Sequence, residues 1–274
     1  MNEKLKLERL LSDADKAELS RDFSTAAKLV KRALAINPTE LLHLLLGNLE
    51  RKRKRYRQAI KQFDAAIALN PMRAVAYLLK AESLVDLKEY NEAKKIFRRS
   101  LTIEKRADAF VQLGSVCEAL RDERAARQNY ESALAVDPQF EEAHYNFGRL
   151  LRRANPQKAL LHLRTAVRID PKYALAHSEL GAFLIQLKRY AAAERTLRKA
   201  ISLDERSFWN HLYLANLLWT RGRLEQAEEE YQAACRLDGS SFSARCYAKF
   251  RKVTKRTRGS EGQSARVRGS VCES

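Results

Sequence analysis

Proline and glycine are scarce, at 5 and 9 of 274 residues. An all-β sandwich needs more turn residues than that, and a collagen-like chain needs far more. No apolar run reaches the length of about 18 residues that a membrane-spanning helix requires, so a span is excluded. The opening stretch MNEKLKLERLLSDADK alternates charge and short apolar patches, so no secretory signal is expected. The four cysteines, Cys117, Cys235, Cys246 and Cys272, show no CxxC spacing, which removes a zinc knuckle or a redox pair. Few scattered cysteines without an export signal fit a reducing compartment, and a cytoplasmic location is the expectation. Neither a GxSxG elbow, an HExxH pair, a phosphate loop nor a GxGxxG turn occurs. No catalytic residue, metal ligand or cofactor site is therefore assigned.

What is abundant is positive charge and periodicity. Lys and Arg number 52 against 34 acids, a net charge of +18. Such an excess suits a polyanionic partner or simply a soluble basic surface. The segments ALAINP (33–38), AIALNP (66–71), SLTIEK (100–105), ALAVDP (133–138), AVRIDP (166–171), AISLDE (200–205) and ACRLDG (234–239) recur every 33 or 34 residues. Seven residues before each lies an alanine, from Ala26 and Ala59 to Ala227. Eleven or twelve residues further back lies another small residue: Ala14, Gly47, Ala81, Gly114, Gly148, Gly181 and Ala215. Small side chains at fixed register let two helices approach closely. Glycine inside a helix costs about 1 kcal/mol relative to alanine, so four of them at one repeat position need a packing reason. Each unit reads as two amphipathic helices of about 14 residues joined by a short turn. A closing Asn/Asp-Pro ends the second helix, because proline disfavours a helical residue before it.

These residues, with Leu–Gly in the first helix and a turn tyrosine at Tyr56, Tyr90 and Tyr190, resemble the tetratricopeptide repeat family. The resemblance implies an all-α fold, a right-handed α-solenoid of about seven helix-turn-helix repeats: 7–39, 40–73, 74–106, 107–140, 141–173, 174–207 and 208–241. Residues 242–256 place Phe242, Cys246, Phe250 and Val253 on one helical face and read as a C-terminal capping helix, which a solenoid end needs. Residues 257–274 carry almost no large apolar side chain and read as a basic disordered tail.

Four of the five histidines, His43, His144, His177 and His211, share one repeat position. Neighbouring copies of that position sit roughly 20 Å apart, two helix spacings, which is too far for a shared ion. A packing role is expected.

In the family the first helices line a concave groove that takes extended peptides or partner helices. Transferred by register, the groove positions include Asn48, Arg51, Glu82, Gln112, Ser115, Arg149, Arg152, Gln186, Asn216 and Trp219. Arg51, Arg149 and Arg152 would make part of it basic and attract acidic peptides. The family's carboxylate clamp is absent, since Leu11, Ser12, Asp15, Leu44, Asn48, Val75 and Leu79 stand near those positions. Trp209 and Trp219 fit equally a binding hot spot or packing against the cap helix. The run Arg51, Lys52, Arg53, Lys54, Arg55 is a solvated corner or a docking patch for phosphate, an acidic protein or RNA. The expected function is a non-enzymatic scaffold or adaptor binding another protein. The alternatives are a basic-surface binder of nucleic acid or another polyanion, and a regulatory subunit of a separate enzyme.

Overall fold

The computed structural model describes residues 3–238 and 241–258. Among these, fifteen helices and no strand are present. Their contacts divide the chain into two compact units, Met1–Asn146 and Phe147–Ser274. No helix among the described residues is long and apolar enough to cross a membrane.

The first unit holds four helical hairpins. They are α1 (Glu3–Leu19) with α2 (Phe23–Leu34), α3 (Glu40–Lys52) with α4 (Tyr56–Leu69), α5 (Ala74–Asp86) with α6 (Tyr90–Ile103), and α7 (Ala107–Ala119) with α8 (Glu123–Val136). It ends inside α9 (Glu141–Leu151). The second unit continues with α10 (Pro156–Ile169), the hairpins α11 (Ala174–Gln186) with α12 (Tyr190–Leu203) and α13 (Phe208–Thr220) with α14 (Leu224–Leu237), and then α15 (Ser241–Arg258). Within the six complete hairpins the first helix packs on its own second helix, and α2, α4, α6, α10, α12 and α14 each pack on the helix that follows.

The small-residue register explains the packing. All 21 Gly, Ala and Ser positions read from the repeat are buried, and the fourteen on the second helices are wholly inaccessible. The large residues four positions after each register alanine, Val30, Phe63, Phe97, Tyr130, Leu163, Leu197 and Tyr231, are equally inaccessible. They press on the small residues of the first helix. A Cβ built on Gly47 would lie 2.3 Å from the Phe63 ring, and one on Gly114 would lie 2.5 Å from the Tyr130 ring. Gly148 and Gly181 meet Leu163 and Leu197 at 2.8 and 2.7 Å in the same way, so the glycines mark where a large side chain of the second helix touches the first-helix backbone. Ser100 replaces the usual alanine without penalty, because its hydroxyl donates to the Ala74 carbonyl at 2.9 Å.

The closing Asn or Asp does more than precede proline. Asn70, Asp137, Asp170 and Asp204 each accept a hydrogen bond from the backbone N–H two residues on, at 2.8–3.2 Å. This local turn competes with helix and ends it. Above it, the shared histidine position closes the same turn. His144 and His177 Nε2 lie 3.2 Å from the carbonyls of Pro138 and Pro171, and the Tyr77 hydroxyl donates to Pro71 over the same distance. The cap helix brings Cys246 and Phe250 into the core of the second unit. The tail expected from 257 onward lies, from residue 259, outside the described residues.

Candidate functional site

In the first unit the open faces of successive first helices are tied together by side chains. Lys52 of α3 reaches Glu18 of α1 at 2.5 Å. Arg51 of α3 reaches Glu82 at 2.5 Å and Asp86 at 3.2 Å, both on α5. Glu142 at the start of α9 lies within electrostatic range of Asp108 on α7 and Glu82 on α5. A recess of about 380 Å³ opens between Glu18, Leu45, Asn48, Arg51, Lys52, Tyr56 and Asp86. Gln112 and Ser115 stand half-buried on α7, with the Ser115 hydroxyl 3.3 Å from that of Tyr130.

The expected basic character of this face is overturned at Arg51. Its guanidinium is held by two carboxylates of the next first helix, so it offers little free charge. Glu82 stood among the groove positions and Asp86 did not, although both follow from the same register. The run at 51–55 divides likewise. Arg53 pairs with buried Glu50 at 3.0 Å, and Lys52 with Glu18, while Lys54 and Arg55 remain exposed in the turn. Glu142 was missed. Burial first, then the charges of Glu141, Asp108 and Glu82, push its carboxyl above the usual carboxylate range.

In the second unit Arg149 is half-buried and Gln186 is exposed. Arg152 pairs with Glu179 of α11 and lies 5.4 Å over the Phe183 ring. It is the second of the expected groove cations found paired with the next first helix. Asn216 and Trp219 are corrections, since they are only 5% and 6% exposed. Asn216 accepts the Tyr231 hydroxyl at 2.6 Å. Trp219 meets Phe250 of α15 edge-on, with centroids 5.5 Å apart at 88°. Repeat register puts both on the open side of α13, but Tyr231 of α14 engages Asn216 and Phe250 of α15 covers Trp219. Trp209 remains 37% exposed and packs on Phe208, Tyr213 and Phe242.

The histidines differ by their neighbours. His211 Nδ1 lies 2.7 Å from Glu230 and its Nε2 lies 3.4 Å from the Glu205 carbonyl. The Glu230 hydrogen bond raises the His211 pKa. Burial lowers that of His177, whose ring nitrogen reaches the Pro171 carbonyl. Cys117 is buried, and desolvation raises its thiol pKa, which disfavours the thiolate a nucleophile needs. Among the described residues no three His, Cys, Asp or Glu side chains converge as metal ligands would.

Family models for the tetratricopeptide repeat match residues 107–140, 150–206 and 211–242. A model described as anaphase-promoting complex, cyclosome, subunit 3 matches residues 20–100. Protein O-mannosyl-transferase TMTC3 of Homo sapiens is 26% identical over 199 residues, covering 70% of this chain and 22% of the relative. Anaphase-promoting complex subunit 3 of Schizosaccharomyces pombe is 26% identical over 201 residues, covering 72% of this chain and 30% of the relative. The chain thus spans less than a third of the length of these curated relatives. Among solved structures, the APC/C hetero-tetramer Cut9–Hcn1 superposes with a TM-score of 0.69 at 15% identity, over 88% of this chain and 55% of the matched one. Repeat register, buried small residues and these matches agree: the chain belongs to the tetratricopeptide repeat family.

Proposed function

We propose that the protein is a non-enzymatic scaffold whose first-helix faces hold a peptide or helix of another protein. The carrying observation is that large apolar side chains stand exposed at one repeat position of the first helices. Leu41 is 60% exposed on α3, and in the second unit Leu175 is 59% and Trp209 37% exposed on α11 and α13. Exposed apolar side chains recurring at one repeat position within each unit mark an interaction surface. Tetratricopeptide relatives that carry the name of a multi-subunit complex support this reading. The test is affinity capture with the full chain. Leu41→Glu with Leu175→Glu is expected to release the specific partner, whereas Leu161→Glu, at a 63% exposed site on the second helix α10, is expected to retain it. A partner indifferent to the first pair, or turnover of a substrate by the purified chain alone, overturns the proposal.

A second reading rests on Lys54, Arg55, Lys88, Arg121 and Lys188, which are exposed in the turns and have no ion-pair partner among the described residues. They suit a polyanion. Its affinity for a nucleic acid would fall steeply between about 50 and 200 mM salt as counterions are released. Weak or salt-independent binding removes it.

A further inference from the structure

Charge in the first unit is sorted by helix. The first helices α1, α3, α5 and α7 carry 11 acids and 7 bases, whereas α2, α4, α6 and α8 carry 4 acids and 11 bases. The chain is strongly cationic, but its first-helix face here is not. Along that face Asp15, Glu18, Glu82, Asp86, Asp108 and Glu142 are set against Arg51, Lys52 and Arg106. Among the described residues no cation pairs with Asp15 or Glu142, and Glu142 is half-buried. Desolvating a carboxylate without a counter-charge is unfavourable, and an incoming cation removes the penalty.

The same face is apolar at its centre. Leu41 and Leu45 on α3, and Val75 and Leu79 on α5, are spaced i and i+4, so each pair forms one strip along its helix. Leu41 is 60% exposed, and the other three are half-buried. Asn48 and Glu82 follow three residues on in the same rows. An apolar strip edged by carboxylates is the complement of an amphipathic segment with a cationic edge.

We propose that the first-helix face of the first unit docks a Lys/Arg-rich amphipathic segment of a partner protein, its apolar side on Leu41, Leu45, Val75 and Leu79 and its cations against Glu142 and against Glu82 and Asp108, where they compete with Arg51 and Arg106. This rests on the first-helix reading of the function above, and it replaces the acidic peptide that the sequence suggested. At long range a +18 chain repels such a segment. The attraction is local, within a Debye length of about 8–10 Å, so complementarity here selects the partner more than it speeds encounter.

Fluorescence anisotropy of the full chain with a labelled Leu/Lys helix of about 18 residues, some 27 Å long, tests the proposal. A Leu/Glu peptide of identical apolar pattern is the comparator. The Leu/Lys probe is expected to bind, and Glu82→Gln with Asp108→Asn and Glu142→Gln to weaken it at least about ten-fold. Asp15→Lys with Glu142→Lys breaks no ion pair, and it is expected to weaken the probe as much while leaving the thermal midpoint in place. Neutralising Glu92 and Glu131 on the second helices is expected to change nothing. Failure of the Leu/Lys probe to bind, equal binding by the variants, or tighter binding of Leu/Glu overturns the charge assignment. If Leu/Glu binds and Leu41→Glu releases it, the face still docks proteins and only the cationic partner is wrong. If neither peptide responds to Leu41→Glu and captured partners do not either, the scaffold reading fails with it. A homodimer seen by light scattering that the Asp15/Glu142 variant dissociates would put a second copy's basic face in this place and overturn the partner.

Discussion

One repeat position carries two histidines with opposite tendencies. His211 and His177 both reach back to the carbonyl that closes the preceding repeat. What separates them is the residue nineteen positions on: Glu230, bonded to His211, and Thr196 at the equivalent position for His177. Thr196 is occupied in its own helix, donating to the Ala192 carbonyl at 2.8 Å. The imidazolium of His211 has two acceptors, so its folded pKa is raised, chiefly by Glu230. That stabilisation is complete below the unfolded value and is lost as pH rises through the folded one. His177 is lowered by burial, so the folded state loses stability as pH falls from the unfolded value to the folded one. Acidification thus acts on the two in opposite directions. NMR titration is expected to find His211 protonating at a higher pH than His177. Glu230→Gln is expected to bring His211 down, and Thr196→Glu to bring His177 up. Coincident curves in the native protein would refute the account.

The turn residues show where reading the sequence stops. Arg21, Lys54, Lys88, Arg121 and Lys188 all adopt φ of 56–62°, the left-handed region, and only Gly222 is the residue that region favours. Each side chain there costs about 1–2 kcal/mol. A cation beside the carbonyl end of the helix before it regains about 0.3–1 kcal/mol. A search for glycine at helix ends finds only one of these six turns, whereas the repeat period finds them all. Asn216 and Trp219 failed for a different reason. Register locates a face, but only tertiary packing says whether another helix covers it. The pairing of Arg51 and Arg152 was not foreseen because their partners lie 27–35 residues away, on the next first helix. Their spacing is legible once acids are tallied by repeat position instead of by composition.

The α15 helix is the element whose role can be separated from the repeats. Trp219, Tyr231 and Phe250 form one aromatic cluster, with Tyr231 and Phe250 centroids 5.0 Å apart. Phe250 is 2% exposed and Cys246, one turn earlier, 3%. Hydrophobic side chains at i and i+4 dock α15 on α13 and α14, while Lys249, Arg251 and Lys252 are exposed on the opposite side. A terminal repeat needs such a polar-backed cover to stay soluble. Phe250→Ala is expected to cost the second unit about 3–5 kcal/mol, read by urea unfolding. Trp219 emission should shift to longer wavelength, and Cys246 should become reactive to a thiol reagent. Unchanged Cys246 protection would mean that α15 docks without this ring. The sequence marked the apolar stripe of α15 correctly. It left the tryptophans undecided, and the resolution differs between them: Trp219 is consumed by the cap, whereas Trp209 keeps a third of its surface exposed.

For the molecule as a whole, the question is which electrostatic effect dominates its stability. The net charge of +18 favours expansion through self-repulsion. Against it stand ion pairs such as Arg51–Glu82, Arg152–Glu179, and Glu194 with Arg198, Arg221 and Arg223. Glu194 is only 8% exposed at its side chain and Glu50 only 1%, so salt reaches these pairs poorly. The unpaired cations of the turns are open to water and are screened first. Raising NaCl from about 20 to about 200 mM shortens the Debye length from about 20 Å to below 8 Å. Repulsion among exposed turns is then removed while the half-buried pairs persist. Thermal unfolding followed by circular dichroism is therefore expected to give a midpoint that climbs by a few degrees over this range and then levels. The Arg121→Gln and Lys188→Gln changes should flatten the response, since each removes a cation without a partner. A midpoint that falls with salt would mean that attraction between paired groups outweighs the net charge, and the turn cations would then be bystanders to stability.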